Sequence, residues 1–359
     1  LYLWKKDLLL TIQKILRDRK DRMTTIVNLR NNKNAMKGKK VLITGGTGSL
    51  GQALTSRLLK QGCKVIIYSR DEGKQALNLP NSKSIVKVIG DIRDFAKLDT
   101  TVKRTKPDYI IHAAALKRID DMELAPDECI KTNIQGSENV ALAATNNNVS
   151  KCILVSTDKA CLPVNVYGSS KFIAERLFTN ADYHSETTTL ASVRYGNVIA
   201  SRGSFIPLFL DKIENSEVIT VTSDEMTRFL FTLDEAVDAV LGALEHAIGG
   251  EVFIPQIDSY TLPSCIRALE EITNKKAEYK ITGLRPGEKL HEDMLAKTEL
   301  EFTYKVPGIN LLQVRPQTKH RLISYQKWEQ YKGPEFNSAL YVKEEIEELK
   351  KLINRGLEC

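Results

Sequence analysis

The sequence predicts an α/β protein with a doubly wound parallel sheet and a smaller mixed lobe toward its C-terminal end. Over residues 38–200, short apolar and β-branched runs alternate with longer stretches of helical spacing. A glycine-rich turn joins the first apolar run to the first helix, as in a β–α–β unit. Alternation of this kind favours parallel strands with helices on both faces of the sheet, because parallel strands need crossover connections.

Strands are predicted in this first part at 40–44, 64–68, 85–89, 109–112, 151–155 and 190–195. The helices between them include 52–60, which stops before Gly62, and the longer stretches 127–146 and 168–178. After about residue 200 the pattern changes to shorter, mixed segments. The predictions there are a loop at 201–207, a helix at 235–247, a strand at 251–255, a helix at 264–273, a turn at 283–288 and a final charged helix at 343–354.

These patterns divide the chain into parts. We expect an N-terminal extension outside the core fold at 1–37, a nucleotide-binding domain at 38–200, a segment that packs back onto it at 226–250, and a substrate lobe from 201–225 and 251–359. Leu1, Trp4 and Leu8 begin an apolar stripe among basic residues, which is typical of a helix that lies on a membrane or a partner. We favour an extension without a role in the fold, because Met36 opens a natural domain start.

The composition excludes several classes of protein. The formal net charge of +7 suits an anionic small-molecule substrate, and no nucleic-acid-binding motif accompanies it. No apolar run approaches the roughly 18 residues that span a bilayer. The six cysteines form no C-x-x-C pair and the five histidines do not cluster, so we expect no metal site. Cysteines within apolar runs are typical of reduced thiols, which favours a cytoplasmic protein.

Gly45, Gly48 and Gly51 form a G-x-x-G-x-x-G turn between the first strand and the first helix. Glycine permits a positive φ and a close approach of the backbone, and the N-terminus of the following helix favours a pyrophosphate. In this strand–turn–helix context the glycines predict a Rossmann-like site for a dinucleotide.

The end of the second strand bears on which dinucleotide binds. A carboxylate there would hold a ribose 2′-hydroxyl, whereas an arginine accommodates a 2′-phosphate. Ser69 and Arg70 come first and favour NADP, and Asp71, the counter-argument, is typical of a helix cap. After the third strand, Asp91 and Ile92 are candidates for the adenine edge, with an ordinary Asx turn as the alternative.

Two pairs of residues carry candidate chemistry. Tyr167 and Lys171 lie one helical turn apart and therefore on one face of a helix. An ammonium and an oxidised nicotinamide nearby would lower the pKa of the phenol from about 10, so that Tyr167 becomes a candidate base for a substrate hydroxyl. Asp158 and Lys159 follow the strand at 151–155, at a carboxyl end, where the sites of such sheets lie. The alternative for this second pair is a capping aspartate beside a solvated lysine.

Ordered motifs between about residues 38 and 300 carry a resemblance to a known family. They are TGGTGSLG (44–51), YSRDEGKQ (68–75), GDIRD (90–94), HAAALK (112–117), STDKA (156–160), NVYGSSK (165–171), VRYGNV (193–198), SRGSFIP (201–207), MTRFLFTLDEA (226–236) and RPGEKLHE (285–292). The chain resembles the extended short-chain dehydrogenase/reductases, and among them the inverting UDP-N-acetylglucosamine 4,6-dehydratases of pseudaminic acid biosynthesis. Retaining relatives usually carry Asp-Glu where this chain has Asp158-Lys159. The chain departs from the pattern at Cys161-Leu162, and it matches little in 1–37 and beyond 300.

The resemblance implies a dehydration in which a hydride leaves the sugar C4 and returns at C6, with NADP as cofactor and a UDP-sugar as substrate. Tyr167 would deprotonate the 4-hydroxyl, Thr157 would hydrogen-bond the 4-oxygen, and Lys171 would hold the nicotinamide ribose. Lys159 would remove the C5 proton, and Asp158 would protonate the departing 6-hydroxyl. Lys159 must be neutral to act as a base, which needs a pKa several units below its ordinary value.

Binding residues are expected around both ligands. Those expected at the cofactor are Gly45, Thr47, Gly48, Ser49, Leu50, Gly51, Ser69, Arg70, Asp91, Ile92, Ala113, Ala114, Tyr167 and Lys171. Those implied for the UDP-sugar are Lys117, Asn197, Arg228, Arg285 and Glu288. The alternative for this second group is a surface or interlobe salt bridge, or, for Lys117, a solvated side chain. The helices around 127–146 and 168–178 pair in relatives, so we expect a homo-oligomer, a dimer or a multiple of dimers.

Two other functions compete with the dehydratase. A UDP-sugar 4-epimerase on the same scaffold would need Tyr167 and Lys171 but not the Asp158-Lys159 pair. A non-catalytic NADP-binding protein would typically lose Tyr167 or Lys171, and both are present here. The mass of the product separates the first alternative from the dehydratase, and the absence of any product with NADP still bound would favour the second.

Overall fold

The computed structural model describes residues 36–201, 203–317 and 327–358, so the predicted basic helix near the N-terminus lies outside the described residues. Its strands are β1 (Lys40–Thr44), β2 (Lys64–Ser69), β3 (Ile85–Ile89), β4 (Tyr109–His112), β5 (Lys151–Val155), β6 (Thr189–Val193), β7 (Asn197–Val198), β8 (Ile219–Val221), β9 (Thr227–Phe231), β10 (Val252–Pro255), β11 (Ser259–Thr261), β12 (Tyr279–Ile281), β13 (Asp293–Leu295), β14 (Thr303–Lys305), β15 (Leu311–Val314) and β16 (Phe336–Asn337).

The α-helices of the described residues are α1 (Ser49–Lys60), α2 (Glu72–Asn78), α3 (Phe95–Thr105), α4 (Ile119–Leu124), α5 (Pro126–Cys129), α6 (Gly136–Asn146), α7 (Val166–His184), α8 (Phe205–Glu214), α9 (Leu233–His246), α10 (Leu262–Thr273) and α11 (Ile346–Leu357). A π-helical stretch, Ile130–Gln135, joins α5 to α6, and 3₁₀ turns lie at Asp158–Ala160 and Lys297–Phe302. Across these residues, no helix combines the length and the apolarity needed to cross a membrane.

A nine-stranded sheet forms the centre of the molecule, in the order β14–β15–β10–β6–β5–β4–β1–β2–β3. The strands from β10 to β3 are parallel to their neighbours, and β15 pairs antiparallel with β10 and with β14. The order 3-2-1-4-5-6 within this sheet is that of a Rossmann fold. The predicted fold class, a doubly wound α/β sheet, is therefore confirmed.

Successive residues of β1 face opposite sides of the sheet and reach two separate cores. Ile43 packs with Leu58 of α1 and Val240 of α9 on one face. Leu42 packs with Phe178 of α7 on the other face. Because both faces are covered by helices, the inner strands read as continuous apolar runs rather than as alternating ones.

A smaller lobe lies beside the central sheet. In it, β9 pairs with β7 and β11, and the helices α8, α10 and α11 share an apolar core to which Phe209, Ile266 and Leu352 contribute. The helix α8 begins at Phe205, although the sequence predicts a loop over 201–207. Pro207 is tolerated there because it lies in the first turn of the helix, where a backbone N–H has no partner to lose.

Three strands from the expected substrate lobe belong to the central sheet instead. The sequence assigns all of 251–359 to that lobe, but β10, β14 and β15 extend the sheet beyond β6. The boundary at residue 251 needs correction, because β10 is buried along its whole length and continues the parallel order of the sheet. The segment 226–250 contributes to both the central sheet and the smaller lobe, since α9 packs on the central sheet and β9 belongs to the smaller lobe.

A buried ion network ties the sheet to the C-terminal part of the chain. Arg194, directly after β6, lies 2.8 Å from a carboxylate oxygen of Glu175 in α7 and 2.8 Å from one of Glu299. The guanidinium and the Glu175 carboxylate are almost completely buried. Removing one partner from such a network leaves an uncompensated charge in the interior. The network therefore holds β6, α7 and the 3₁₀ turn at 297–302 in one arrangement.

Arg194→Met should lower the free energy of unfolding by about 3–5 kcal/mol, because it leaves the charges of Glu175 and Glu299 buried without their partner. Urea unfolding at neutral pH measures the change.

The matched control for that substitution is Arg57→Met. Arg57 also bridges two carboxylates, Asp234 and Asp238, but these lie at the surface. Its loss should cost less than about 1 kcal/mol. Equal losses for the two variants would show that the buried network does not hold the elements together.

Candidate active site at the carboxyl edge of the central sheet

The predicted glycine turn connects β1 to α1 at the carboxyl edge of the parallel strands. Gly45 has a φ of +71°, and a Cβ there would lie 2.7 Å from the backbone nitrogen of Ala114, so a side chain does not fit. The helix α1 follows Gly48, a residue that has no side chain to cap it. An N-terminus of this kind attracts an anion, so the turn fits the pyrophosphate of a dinucleotide.

The charged residues after β2 and β3 bear on which dinucleotide fits. The Asp71 side chain accepts a 2.9 Å hydrogen bond from a backbone N–H of α2, which confirms its predicted role as a helix cap. The side chain of Arg70 is 55% exposed and lies 3.7 Å from Asp91. Asp91 also accepts hydrogen bonds from the backbone N–H and the guanidinium of Arg93. The Asx turn that the sequence offers as the alternative for Asp91 is therefore present.

The other residues expected at the cofactor lie in the turn, in the first turn of α1 and at or just after strand ends: Thr47, Ser49, Leu50, Gly51, Ser69, Ala113 and Ala114. The Ser69 hydroxyl accepts a 2.9 Å hydrogen bond from the buried amide of Gln75. Ile92 is buried among apolar side chains on the α7 face of the sheet. Its side chain thus serves the core, and a contact of Ile92 with the cofactor stays a prediction.

Asp158 and Lys159 lie in the 3₁₀ turn after β5. The Lys159 Nζ is 3.0 Å from Asp158 Oδ1 and 3.0 Å from Glu292 Oε1. The two carboxylates are buried, with 1% and 2% of their side chains exposed, and the lysine side chain is 17% exposed. Asp158 Oδ2 and Glu292 Oε2 have no hydrogen-bond partner in the described part of the chain. Lys159 is therefore not a solvated lysine: its ammonium lies between two buried carboxylates.

The pKa values in this group depend on burial and on the neighbouring charges. Burial raises the pKa of Asp158 above its ordinary value, although Lys159 opposes the shift. Burial disfavours the charged form of Lys159, but Asp158 and Glu292 outweigh it and raise its pKa. Burial likewise disfavours the Glu292 carboxylate, but Lys159 and Arg228 outweigh it and lower its pKa. The raised pKa of Asp158 suits an acid. The raised pKa of Lys159 is opposite in direction to the fall that a neutral base requires.

Thr157 connects this group to the second predicted pair. Its hydroxyl donates to Asp158 Oδ1 at 2.8 Å, and its interaction with the phenol of Tyr167 acts to lower the pKa of that group. Burial raises the pKa of Tyr167 to about 12, with the Lys159 ammonium and the interaction with Thr157 acting against the shift. Lys171 is also buried, and burial lowers its pKa to about 8. The protein alone therefore does not lower the pKa of Tyr167.

The start of α7 packs against the 3₁₀ turn that carries the acid and the amine. A Cβ on Gly168 would overlap the carbonyl oxygen of Lys159, so the helix approaches the turn as closely as a glycine allows. Ser156, at the end of β5, donates a 2.6 Å hydrogen bond to Glu175. The buried arginine network therefore also supports the segment that leads into the site.

Arg228, expected at the UDP end, holds the 288–292 segment in place. Its guanidinium donates to two backbone carbonyls of that segment, at 3.0 and 3.1 Å. It also lies 3.6 Å from Glu288 and 3.9 Å from Glu292, and only 8% of its side chain is exposed. The interlobe salt bridge offered by the sequence as the alternative for Arg228 is present.

The remaining residues expected at the UDP-sugar are spread around this segment. Arg285 pairs with Glu288 at 3.0 Å and with Asp120 of α4 at 3.1 Å, and its side chain is 56% exposed. Asn197 Oδ1 is buried, with no hydrogen-bond partner among the described residues. Lys117 lies exposed on the loop after β4. Their contacts with a substrate stay predictions.

The sequence does not single out Glu292, which completes the group around Lys159. Glu292 ends the RPGEKLHE motif, so the signal that could have found it is its position in a motif with two selected residues, Arg285 and Glu288. Glu175 is also missed, because it lies inside α7 and reads as a solvated helix position. Only the packing of α7 against β6 shows that Glu175 is buried.

Metal ligation finds no support in the described residues. No three His, Cys, Asp or Glu side chains are grouped there so that they could hold a metal ion. The cysteines of this part of the chain are free and buried: Cys63, Cys129, Cys152, Cys161 and Cys265.

A family model described as "Polysaccharide biosynthesis protein" matches residues 41–313. The chain belongs to this family. A curated relative, UDP-N-acetylglucosamine 4,6-dehydratase (inverting) from Campylobacter jejuni subsp. jejuni serotype O:23/36 (strain 81-176), is 43% identical over 275 residues, which cover 75% of this chain and 80% of the relative. The resemblance to the extended short-chain dehydrogenase/reductases, and to their inverting 4,6-dehydratases, is thus confirmed.

Other members of the polysaccharide biosynthesis family carry a different name. A UDP-glucose 4-epimerase from Rickettsia conorii (strain ATCC VR-613 / Malish 7) is also 43% identical, over 274 residues that cover 73% of this chain and 79% of the relative. The solved structure of Pen from Bacillus thuringiensis is similar, with a TM-score of 0.82 and 35% identity, and the match covers 90% of this chain and 99% of Pen. Because dehydratases and epimerases are equally similar, the choice between these reactions depends on the residues of the site.

Gly168→Ala should lower the free energy of unfolding by about 1–3 kcal/mol, because the new methyl group overlaps the Lys159 carbonyl and forces α7 away from the turn. Gly73→Ala in α2 is the matched control, since a Cβ there would meet Asp71 at an ordinary 3.4 Å. Alanine also has the higher helix propensity, so the control should be neutral or stabilising. Urea unfolding compares the two variants, and equal tolerance would contradict the described contact between α7 and the turn.

Proposed function

We propose that the protein is an NADP-dependent UDP-N-acetylglucosamine 4,6-dehydratase that inverts C5 and gives a UDP-4-keto-6-deoxy-L-sugar. The observation that carries the proposal is the buried group of Asp158, Lys159 and Glu292, linked through Thr157 to Tyr167. Dehydration needs a base for the 4-hydroxyl, a base for C5–H and an acid for the 6-hydroxyl. Tyr167, Lys159 and Asp158 can fill these roles within one buried group.

This group favours dehydration over epimerisation. A 4-epimerase changes only C4, so it needs no acid and base for C5 and C6. Burying an ammonium and two carboxylates is costly unless they are paired, and pairs of this kind are often replaceable by apolar residues without loss of stability. Their presence next to Tyr167 therefore supports a chemical role. The presence of both Tyr167 and Lys171 argues against a protein that only binds NADP.

The acid and the base can be prepared by moving a single proton. With Lys159 charged and Asp158 ionised, neither group can act. Transfer of one proton across the 3.0 Å contact between Nζ and Oδ1 gives a neutral amine and a carboxylic acid. Lys159 then takes the proton from C5, and Asp158 gives its proton to the 6-oxygen, so that the C6–O bond breaks and water leaves. Both groups return to their starting charges. As the hydride returns at C6, a proton from water adds to C5 from the opposite face and inverts that carbon, and the proton taken from the 4-hydroxyl is released to water.

The oxidation at C4 needs other residues of the site. Tyr167 takes the proton of the 4-hydroxyl, and Thr157 holds the 4-oxygen. Lys171, whose pKa burial lowers to about 8, is still mostly charged at neutral pH and can bind the nicotinamide ribose. The chemistry that a bound NADP supplies is acceptance of the hydride from C4 and its return at C6.

NADP and the UDP-sugar both suit the charged side chains at the carboxyl edge of the central sheet. The exposed guanidinium of Arg70 suits a 2′-phosphate, which supports NADP rather than NAD. Arg285 and Glu288 suit the UDP end, because a guanidinium can bind phosphates with two parallel bonds and a carboxylate can accept ribose hydroxyls. Lys117, Asn197 and Arg228 complete the proposed substrate contacts.

Exposed apolar side chains support a homo-oligomer, in which these faces would be covered. Leu142 on α6 and Phe172 and Ile173 on α7 are each about two-fifths exposed, as is Ile130 between α5 and α6. Large apolar side chains grouped on neighbouring helices are typical of an interface. The proposal is therefore a dimer, or a multiple of dimers, formed through these helices.

Lys159→Ala should slow water loss and C5 exchange by about 10²–10⁴-fold, because the base is removed, while the protein still folds. The measurement is incubation with UDP-N-acetylglucosamine and NADP in deuterated water, followed by NMR and mass spectrometry. The wild-type product should lack one water and carry deuterium at C5.

Lys289→Ala is the control for this substitution. Lys289 is a nearby lysine that bonds to Asp293 and to the Cys161 carbonyl, not to the acid–base pair. It should retain most of the dehydration rate. A wild-type product that is epimerised but not dehydrated would contradict the proposed function, and normal turnover by Lys159→Ala would contradict the assigned base.

Arg70→Ala should weaken the binding of NADP by about 10- to 100-fold and that of NAD very little, because only NADP offers a phosphate to the guanidinium. Calorimetric titration of the wild type and the variant with both dinucleotides measures the difference. Equal losses for NADP and NAD, or a wild type that prefers NAD, would contradict the assignment.

A further inference from the structure

Other buried lysines show what burial does to an amine in this protein. Burial lowers the pKa of Lys151 and that of Lys171 to about 8. Lys151 donates to the backbone carbonyls of Leu244 and Glu245, at 2.8 and 2.9 Å, and these neutral acceptors do not offset burial. Lys159 differs because two carboxylates lie within 3.0 Å of its Nζ.

Of these two carboxylates, Glu292 comes from a remote segment and is held in place independently. Its backbone N–H donates to the Ser338 hydroxyl at 2.8 Å, and its carbonyl accepts from the Ser338 N–H at 2.8 Å. Its Oε1 faces Lys159, whereas its buried Oε2 has no partner among the described residues. The segment thus presents a rigidly placed carboxylate whose closest contact is the amine of the proposed base.

We propose that Glu292 is a positioning residue of the active site, which holds the Lys159 amine in place and retains the proton that Lys159 and Asp158 share. This inference rests on the proposed function. In that reaction the shared proton passes from Nζ to Asp158 and then to the 6-oxygen, and Lys159 regains a proton from C5. A pair that has lost its proton has a base but no acid, so the 6-hydroxyl cannot leave as water.

Two carboxylate acceptors also fix the direction of the amine. Each accepts one N–H of Lys159, so the third N–H of the ammonium points away from both. With Asp158 as the only acceptor, the amine could rotate about its last carbon–nitrogen bond. Glu292 thereby keeps the amine facing the partly exposed side of Lys159, where a substrate can approach.

The charges that face Lys159 come from several elements. They belong to Asp158 on the same turn, Tyr167 on α7, Arg228 on β9, and Glu292 on the 288–292 segment. Lys289 of that segment acts on Glu292 instead. Of these, Arg228 opposes the positive charge on Lys159, and the two carboxylates favour it. Removing the charge of Glu292 leaves Asp158 to balance both Arg228 and burial.

The test is an NMR titration of the cofactor-free protein with labelled lysine side chains, with Lys159 assigned through Lys159→Ala. In the wild type, Lys159 should remain an ammonium through the pH range in which an ordinary lysine loses its proton, about pH 10.5. Lys151, in contrast, should lose its proton near its pKa of about 8. In Glu292→Gln, which keeps the size and an acceptor oxygen, Lys159 should lose its proton about one to three pH units earlier.

Turnover supplies a second measurement. The alkaline fall of kcat should move to lower pH in Glu292→Gln, and Glu292→Asp, which keeps the charge, should restore most of the wild-type profile. Glu288→Gln is the matched control for the titration of Lys159, since Glu288 belongs to the same segment and pairs with Arg228 and Arg285 rather than with Lys159. Lys159 in this control should titrate as in the wild type.

Several results would overturn the inference. They are a wild-type Lys159 that titrates together with Lys151, an unchanged titration of Lys159 in Glu292→Gln, and a kcat that falls by the same factor at every pH in that variant. The proposed function fails separately, when the wild type forms no dehydrated product. The titration of the cofactor-free protein still decides the role of Glu292 in that case.

Discussion

The candidate site depends on one interaction, the placement of the Lys159 ammonium between the carboxylates of Asp158 and Glu292. A buried charge is tolerated only when it is paired and its partners are held in place. Here Asp158 is held by its position in the 3₁₀ turn after β5, and Glu292 by two backbone bonds to Ser338. The arrangement joins the sheet, at the edge where the dinucleotide is proposed to bind, to the segment 288–292.

The parallel sheet explains why the chemistry collects at one edge. Residues that follow β1, β5 and β6 all lie at the carboxyl ends of strands in one parallel sheet, in the order β6–β5–β4–β1. The glycine turn, the acid–amine pair and Arg194 are therefore brought to the same edge. Arg194 and Glu175 support the segment that leads into the site, and the start of α7 closes on it with a glycine. The stability of the fold and the positions of the site residues thus depend on the same contacts.

The sequence predicts those features of the fold that depend on neighbouring residues, such as strand ends and helix caps. The strand ends before Gly45 and Asp158 follow from short apolar runs bounded by turn residues, and the cap at Asp71 follows from its place before a helix. The partner Glu292 could not be predicted in this way, because it meets Lys159 only through the packing of a distant segment. The direction of the Lys159 pKa shift could not be predicted from the sequence either, because burial lowers this pKa, whereas Asp158 and the remote Glu292 together raise it.

A crystal structure of the wild type with NADP and UDP-N-acetylglucosamine, trapped at low temperature, tests the central claim most directly. The account predicts that the Lys159 Nζ lies within about 3.5 Å of the sugar C5, still between both carboxylates, and that Asp158 contacts the 6-hydroxyl. A hexose whose C5 faces away from Lys159, or a lysine that has left the carboxylates for solvent, would contradict the account.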